Sequence, residues 1–477
     1  MEEIKLKSFK KGIIFTSLGT YSNFLVQLIV NMILSRILTP KDYGVVAIMQ
    51  VFIIFFNLMI ESGMGPAIIQ NKTLNDSDYK NIFNFSAIFS IILAICFGFL
   101  GNLLAVIYNN DIYLNLTWVQ AISIVFNGLN IVPTALLNKR MKFKTVNFTL
   151  IVSNFFAAIV GITTALLGSG VYSLLYSAIT SAFLNFILNR HITKITLSPK
   201  LEKRSIVEIW DFSKNQFGFN FINYFSRNSD NILIGKFMGD IYLANYSKAY
   251  QLLMLPNQMF LSVINPVLQP VLSEYQDDVE YIKSFYYKII QFLGLIGVPL
   301  SVFLSTSSRQ IIFFMFGHQW GAAVVPFSIL SLTVWCQLTV STTGSIFQAR
   351  NQANILFFTG SISALILVTS IIIGVFSESI VGVSISLSIG FFFAFFWNFS
   401  QLIVRSLHSS FIEFLILFKP AAFLGVITFI TLHLESYFDP KNYTISLLIR
   451  GLIFILVMTS YIIFTDQKNN IKILLKK

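Results

Sequence analysis

"NFINYFSRNSDNILIGK", residues 220–236, is too polar for its surroundings. Its seventeen residues hold four Asn, an Arg, an Asp and a Lys, in a chain otherwise dominated by Phe, Ile, Leu and Val. At helical spacing Gln216, Asn220, Asn223, Arg227 and then Asp230 or Asn231 share one face. What that face means depends on the solvent. The 477 residues are 55% hydrophobic and only 11% charged, with a mean hydropathy of +0.74. A soluble domain carries about a quarter charged residues, so lipid is the solvent here. A charged group at the bilayer centre costs about 2.5–3.5 kcal/mol. The stripe must therefore face a wet cavity or other polar groups.

Apolar runs of about 20 residues, the length that crosses the ~30 Å hydrocarbon core, recur from end to end. Cut at Pro, Gly, Asn and charge, they predict an all-α integral membrane protein of fourteen spans. These lie near 13–35, 44–61, 82–106, 115–137, 147–168, 171–189, 213–237, 245–272, 284–305, 323–347, 354–376, 380–404, 417–434 and 443–465. The ten-residue alternation of barrel strands is not visible. The opening run is too long for a cleaved signal and is read as a retained span. Cys96 and Cys336, the only cysteines, sit in apolar runs where no disulfide is expected.

Charge orients the spans. Of the 33 Lys and Arg, Arg36, Lys41, Lys248, Arg309 and Lys441 fall on odd-numbered connections and Arg227, Lys236 and Arg450 within spans; the other 25 lie on the termini and even-numbered connections. By the positive-inside rule both termini are expected in the cytoplasm, the chain being a multi-pass protein of the cell membrane. The +12 net charge is then an orientation signal, reinforced by anionic lipid, and no nucleic-acid partner is expected.

The chemistry of an enzyme is missing from the pattern. The longest connection, about 190–212, is too short for a catalytic domain. His191, His318, His408 and His433 lack metal-ligand spacing, and no GxxxxGK[ST] phosphate loop occurs. No catalytic residue, metal or cofactor is expected.

Span 1 carries a stripe of its own in Thr16, Thr20, Asn23, Gln27 and Asn31. A shift of 200 residues superposes the two: Asn23 meets Asn223, Gln27 meets Arg227, Asn31 meets Asn231, Arg36 meets Lys236. The same shift pairs Asn57 with Asn257, Ser62 with Ser262 and Pro66 with Pro266. Both helices run the same way, so the repeat is parallel. The expected organisation is an N-terminal lobe at 1–195 (spans 1–6), a C-terminal lobe at 196–410 (spans 7–12), and two appended spans with a cytoplasmic tail at 411–477. Pro66, Pro256, Pro266, Pro270, Pro299 and Pro326 interrupt or bound spans, with three of them in span 8.

The stretches LSRILTPKDYGVVAIMQ (34–50), ESGMGPAIIQNK (61–72), RMKFK (140–144), DNILIGKFMG (230–239), YSKAYQLLMLP (246–256), PVLQPVLSEYQDD (266–278) and FGHQWGAAVVPFSILS (316–331) resemble the bacterial polysaccharide transport family. These are Wzx-type flippases, relatives of the lipid II flippases and the multidrug and toxin extrusion carriers. The resemblance implies two pseudo-symmetric six-helix lobes around a central cavity, plus two C-terminal helices. It also implies a substrate: an oligosaccharide repeat unit on a polyprenyl pyrophosphate, moved outward for capsule, exopolysaccharide or O-antigen assembly. A glycan polymerase and glycosyltransferases would be its partners, beside membrane lipid.

Such a substrate assigns work to the stripes. The pyrophosphate suits Arg227, whose guanidinium binds phosphate oxygens bidentately and keeps its charge, with Lys236, Arg36 and Lys214 as candidate relays at span ends. Asp230 would partner Arg227 or, like Glu61, couple an ion. Sugar hydroxyls suit Asn23, Gln27, Asn31, Asn220, Asn223 and Asn231, with Tyr21 and Tyr224 placed to stack. Two other functions compete: a cation-coupled drug or metabolite carrier with a smaller, less cationic pocket, and a membrane glycan polymerase or acyltransferase with a long catalytic outer loop, which this chain lacks.

Overall fold

The computed structural model describes residues 21–61, 64–71, 73–197, 224, 228–435, 437 and 442–465, apart from the side chains of 262, 263 and 265–267. The described residues are helical, without strands. The chain divides into two compact units, Met1–Ala244 and Asn245–Lys477.

The first unit begins with α1 (21–37), α2 (Pro40–Glu61) and α3 (Met64–Gln70). A capping box starts α4 (Asp76–Tyr108): the Asn75 side chain accepts from the Ser77 and Asp78 amides while Asp78 accepts from the Asn75 amide. The Ser86 hydroxyl donates to the Gly128 carbonyl at 2.6 Å, joining α4 to α5 (Ile112–Lys139). A Cβ on Gly128 would stand 2.3 Å from that of Ser90, so only glycine permits this crossing, as is common between membrane helices. Next come α6 (Phe143–Leu166), α7 (Tyr172–Thr193) and α8 (228–238).

α8 lies antiparallel on α2. The Tyr224 hydroxyl donates to the Val51 carbonyl and its ring stacks on Phe55, Gly235 meets Ile48, and Asp240 meets Gly44. Opposite directions are what an even and an odd span require. At the last contact a Cβ on Gly44 would sit 2.1 Å from the Asp240 carbonyl oxygen.

α9 (Asp240–Ser273) runs unbroken through Pro256, Pro266 and Pro270. The second unit continues with α10 (Val279–Thr306), α11 (Ser308–Met315), a 3-10 turn (His318–Ala323), α12 (Val324–Ser331), α13 (Val334–Val340) and α14 (Thr343–Ala349). It closes with α15 (Ala353–Val375), α16 (Ile380–Ser400), a π turn (Gln401–Ser406), α17 (Phe411–Ile416), α18 (Lys419–Glu435) and α19 (Tyr443–Phe464). Its core joins Tyr286, Phe347, Phe395, Phe399 and Phe414.

Each expected span window falls on helix where it is described. Nine helices are long and apolar enough to cross a membrane, ten if the bent pair His318–Ser331 and Val334–Ala349 is one span. The expected count of fourteen is not established by length and hydropathy: α1 and α8 are described only in part, and α7 and α9 are more polar. The 51° bend in span 10 has a local cause. Thr333, Thr339 and Thr342 donate to the Leu330, Trp335 and Thr339 carbonyls, and such hydroxyls bend helices.

Two charged residues differ from expectation. Lys248, read as an outer-connection charge, is 3% exposed, its ammonium 4.7 Å from the Phe316 ring centre and 5.2 Å from that of Trp320. Two ring faces make burial of the cation tolerable. Arg450, expected within span 14, pairs with Glu435 of α18 at 2.8 Å and donates to the Thr306 carbonyl of α10 at 2.8 Å. One guanidinium thereby joins three helices.

Gly44→Ala should destabilise the protein by about 1–3 kcal/mol, since backbone cannot retreat from the added methyl, read as a lower melting temperature of the detergent-purified protein. Arg450→Met should cost about 3 kcal/mol by stranding a buried carboxylate, and adding Glu435→Gln should recover most of it; stability measured by SDS-induced unfolding would show this non-additivity.

Candidate functional site

The α1 stripe faces its own unit. Leu25 and Ile29, on the opposite side, are 57% and 53% exposed, as lipid-facing residues should be. Asn23 accepts from the Asn154 amide of α6 at 2.5 Å, and Asn154 accepts from the Ser181 hydroxyl of α7 at 2.6 Å. One helical turn farther along, Gln27 and Asn31 line a cavity of about 380 Å³ with Asn154, Ser177, Ser181 and Tyr43. Asn31 accepts from Ser35, whose hydroxyl also lies 3.3 Å from that of Tyr43. The described lining offers amides and hydroxyls on an apolar floor of Val26, Val30, Leu34, Ala157 and Ala158. Such a surface accommodates uncharged hydrogen-bonding ligands.

The stripe at 220–236 is seen only at its end, since Lys214, Asn220, Asn223 and Arg227 lie outside the described residues. Asp230 is buried and accepts from the Asn231 amide at 2.8 Å. Lys236 donates to the Ile107 carbonyl at 2.6 Å, where the last turn of α4 leaves carbonyls unpaired and a cation is favoured. Arg36 is exposed at the end of α1, and Glu61 ends α2. The described bonds thus tie the α1 stripe to α6 and α7, and α8 to α2 and α4.

Asp240, which the sequence did not single out, organises the α8–α9 junction. It accepts from Asn110 and Tyr113, each at 3.4 Å. Burial pushes its carboxyl above the usual range, while Asn110, Tyr113 and the nearby Lys41 charge hold it down. Asn154, Ser177 and Ser181 were also missed, although a polar stripe of four-residue spacing demands partners across the helix interface.

The repeat is visible in the bonds of each unit. Asn127 of α5 donates to Asn57 of α2 at 3.2 Å; in the second unit Asn257 of α9 donates to Gln337 of α13 at 3.1 Å. Under the six-span repeat these are the same two helices, bridged by the same kind of bond.

Residues 33–326 match the family described as polysaccharide biosynthesis protein. The chain belongs to that family. Among its relatives, the teichuronic acid biosynthesis protein TuaB of Bacillus subtilis is 21% identical over 370 residues, covering 74% of this chain and 73% of TuaB. The lipopolysaccharide biosynthesis protein WzxC of Escherichia coli is 21% identical over 369 residues, covering 74% of this chain and 72% of WzxC. The fold of this polysaccharide biosynthesis protein is that of the lipid II flippase MurJ in an inward closed conformation, with a TM-score of 0.73 and 17% identity over 94% of this chain and 98% of MurJ.

Asn154→Leu should cut surface polysaccharide about tenfold at unchanged membrane abundance, because it leaves Asn23 and Ser181 without their shared partner. Quantifying polysaccharide against the immunoblotted protein checks this; Asn154→Gln should retain more.

Proposed function

We propose that this protein moves a polyprenyl-pyrophosphate-linked oligosaccharide repeat unit across the cytoplasmic membrane by alternating access, serving surface polysaccharide assembly. It acts as a carrier, without catalytic residues. The observation that carries this reading is the cavity of α1, α6 and α7, because neutral amides and hydroxyls over an apolar floor suit sugar hydroxyls. Membership of the polysaccharide biosynthesis family and the fold of a lipid II flippase support it. TuaB and WzxC, named for teichuronic acid and lipopolysaccharide biosynthesis, extend that support to the substrate class.

In this mechanism Gln27 and Asn31 hold the glycan, and Asn23 is positioned by Asn154. The pyrophosphate is a compact anion that needs a cation in a low-dielectric setting; Arg227 is that group, with Asp230 near it in sequence and Lys214, Arg36 and Lys236 as successive attractions. Asn220, Asn223 and Asn231 continue the hydroxyl contacts along the other stripe. Both termini are cytoplasmic, and a glycan polymerase and glycosyltransferases act after and before the transfer.

Arg227→Ala should leave insertion intact, abolish surface polysaccharide and make the lipid-linked repeat unit accumulate, while Arg227→Lys keeps part of the activity. Thin-layer analysis of extracted lipids beside a surface polysaccharide assay measures both. Normal polysaccharide in a well-expressed Arg227→Ala strain would defeat the assignment. A reporter fused after residue 142 should read cytoplasmic and one near Asn110 external.

A further inference from the structure

The second unit carries a long apolar groove that the transport reading does not use. It runs between α15 and α16, has a volume of about 850 Å³, and reaches from Ile373 and Ser386 to Ser400 and Phe411. From 386 to 400 the helical rise gives a length of about 21 Å. Its walls are open: Leu365, Ile373, Ile389 and Phe393 are 66%, 60%, 49% and 63% exposed.

The groove's hydroxyls are not on offer. Ser370 donates to the Ile366 carbonyl at 2.8 Å, Ser386 to the Ser370 carbonyl at 2.6 Å, and Ser400 to the Trp397 carbonyl at 2.9 Å. The Trp397 ring nitrogen donates to the Thr359 carbonyl at 3.2 Å. With these donors committed to backbone, the groove presents methylenes, methyls and rings. Hydrocarbon fits it, and a sugar would find few partners. A length of about 21 Å exceeds one leaflet's share of the ~30 Å core, enough for an extended acyl chain.

One end is charged. Beyond Ser400 the chain turns through the π turn, where Val404 and Arg405 are exposed, to an exposed His408. Lys419 follows α17, and Glu413, which accepts from Ser409, is the acid of this segment. α17 adds exposed Ile412 and Ile416 beside the mouth. A cation at the mouth of an apolar channel at the membrane boundary is the complement of a lipid with an anionic head.

We propose that the α15–α16 groove seats one acyl chain of an anionic phospholipid, whose headgroup phosphate meets Arg405. The site is independent of the proposed transport function, and its ligand is the surrounding membrane. Because hydrocarbon already surrounds every span, the groove alone does not select among lipids. Selection comes from the basic mouth.

The test uses the full-length protein in bilayers holding equal amounts of phosphatidylglycerol and phosphatidylcholine, with a photoactivatable diazirine on the acyl chain of one or the other, and maps the labelled peptides by mass spectrometry. Phosphatidylglycerol should label the segment containing Phe393 and Phe396 about fivefold more than phosphatidylcholine, the preference one basic side chain gives. Arg405→Ala should erase the preference but not the labelling. Ile389→Trp, which fills the groove, should remove labelling by both lipids with an unchanged melting profile. Equal labelling by both lipids in the native protein, or displacement of the label by stoichiometric polyprenyl phosphate but not by excess phosphatidylglycerol, would overturn the assignment.

Discussion

Hydrocarbon offers no hydrogen bonds, and the whole structure follows from that constraint. Each polar atom inside the membrane must find its partner within the protein. The consequence is written across every interface: hydroxyls of Ser86, Thr117 and Ser177 donate to carbonyls of neighbouring helices, and amides pair across them as Asn127 with Asn57 and Asn257 with Gln337. Individually such bonds contribute about 0.6 kcal/mol. Their number fixes register, and their positions explain why a chain this apolar still carries so many Asn, Ser and Thr.

The same constraint separates structural polar groups from functional ones. Asn23 is bonded into a chain through Asn154 to Ser181, while Gln27 and Asn31 open onto a cavity. One face of α1 therefore does both jobs, fastening at one level and lining at the next. A family built to carry sugars has reason to keep such groups neutral, because hydroxyls need many weak partners and no fixed charge.

Much of this was legible in the sequence because period and hydropathy report directly on solvent. The helices fall where apolar runs of membrane length fall, and the four-residue spacing of Asn23, Gln27 and Asn31 marked the face of α1 that turns from lipid. The 200-residue shift that paired Asn57 with Asn257 finds its physical meaning in two matching amide bonds. What escaped depends on partners distant in sequence. Asn154 and Ser181 have no local pattern, Glu435 looked like the end of a span, and Lys248 looked like a loop charge until Phe316 and Trp320 were folded over it. The broken tenth span escaped because threonines bend a helix only through the bonds they choose.

The ion pair of Arg450 and Glu435 bears on how the chain is made. Either charge entering lipid alone would be penalised by up to about 3 kcal/mol, yet together they lie 2.8 Å apart with both side chains hidden. The last two helices are thus best delivered to the bilayer as a preformed hairpin, late in synthesis, after α10 has presented the Thr306 carbonyl that receives the guanidinium. A ribosome stalling between them leaves a naked carboxylate at the membrane, a mark by which quality-control proteases can recognise an unfinished product.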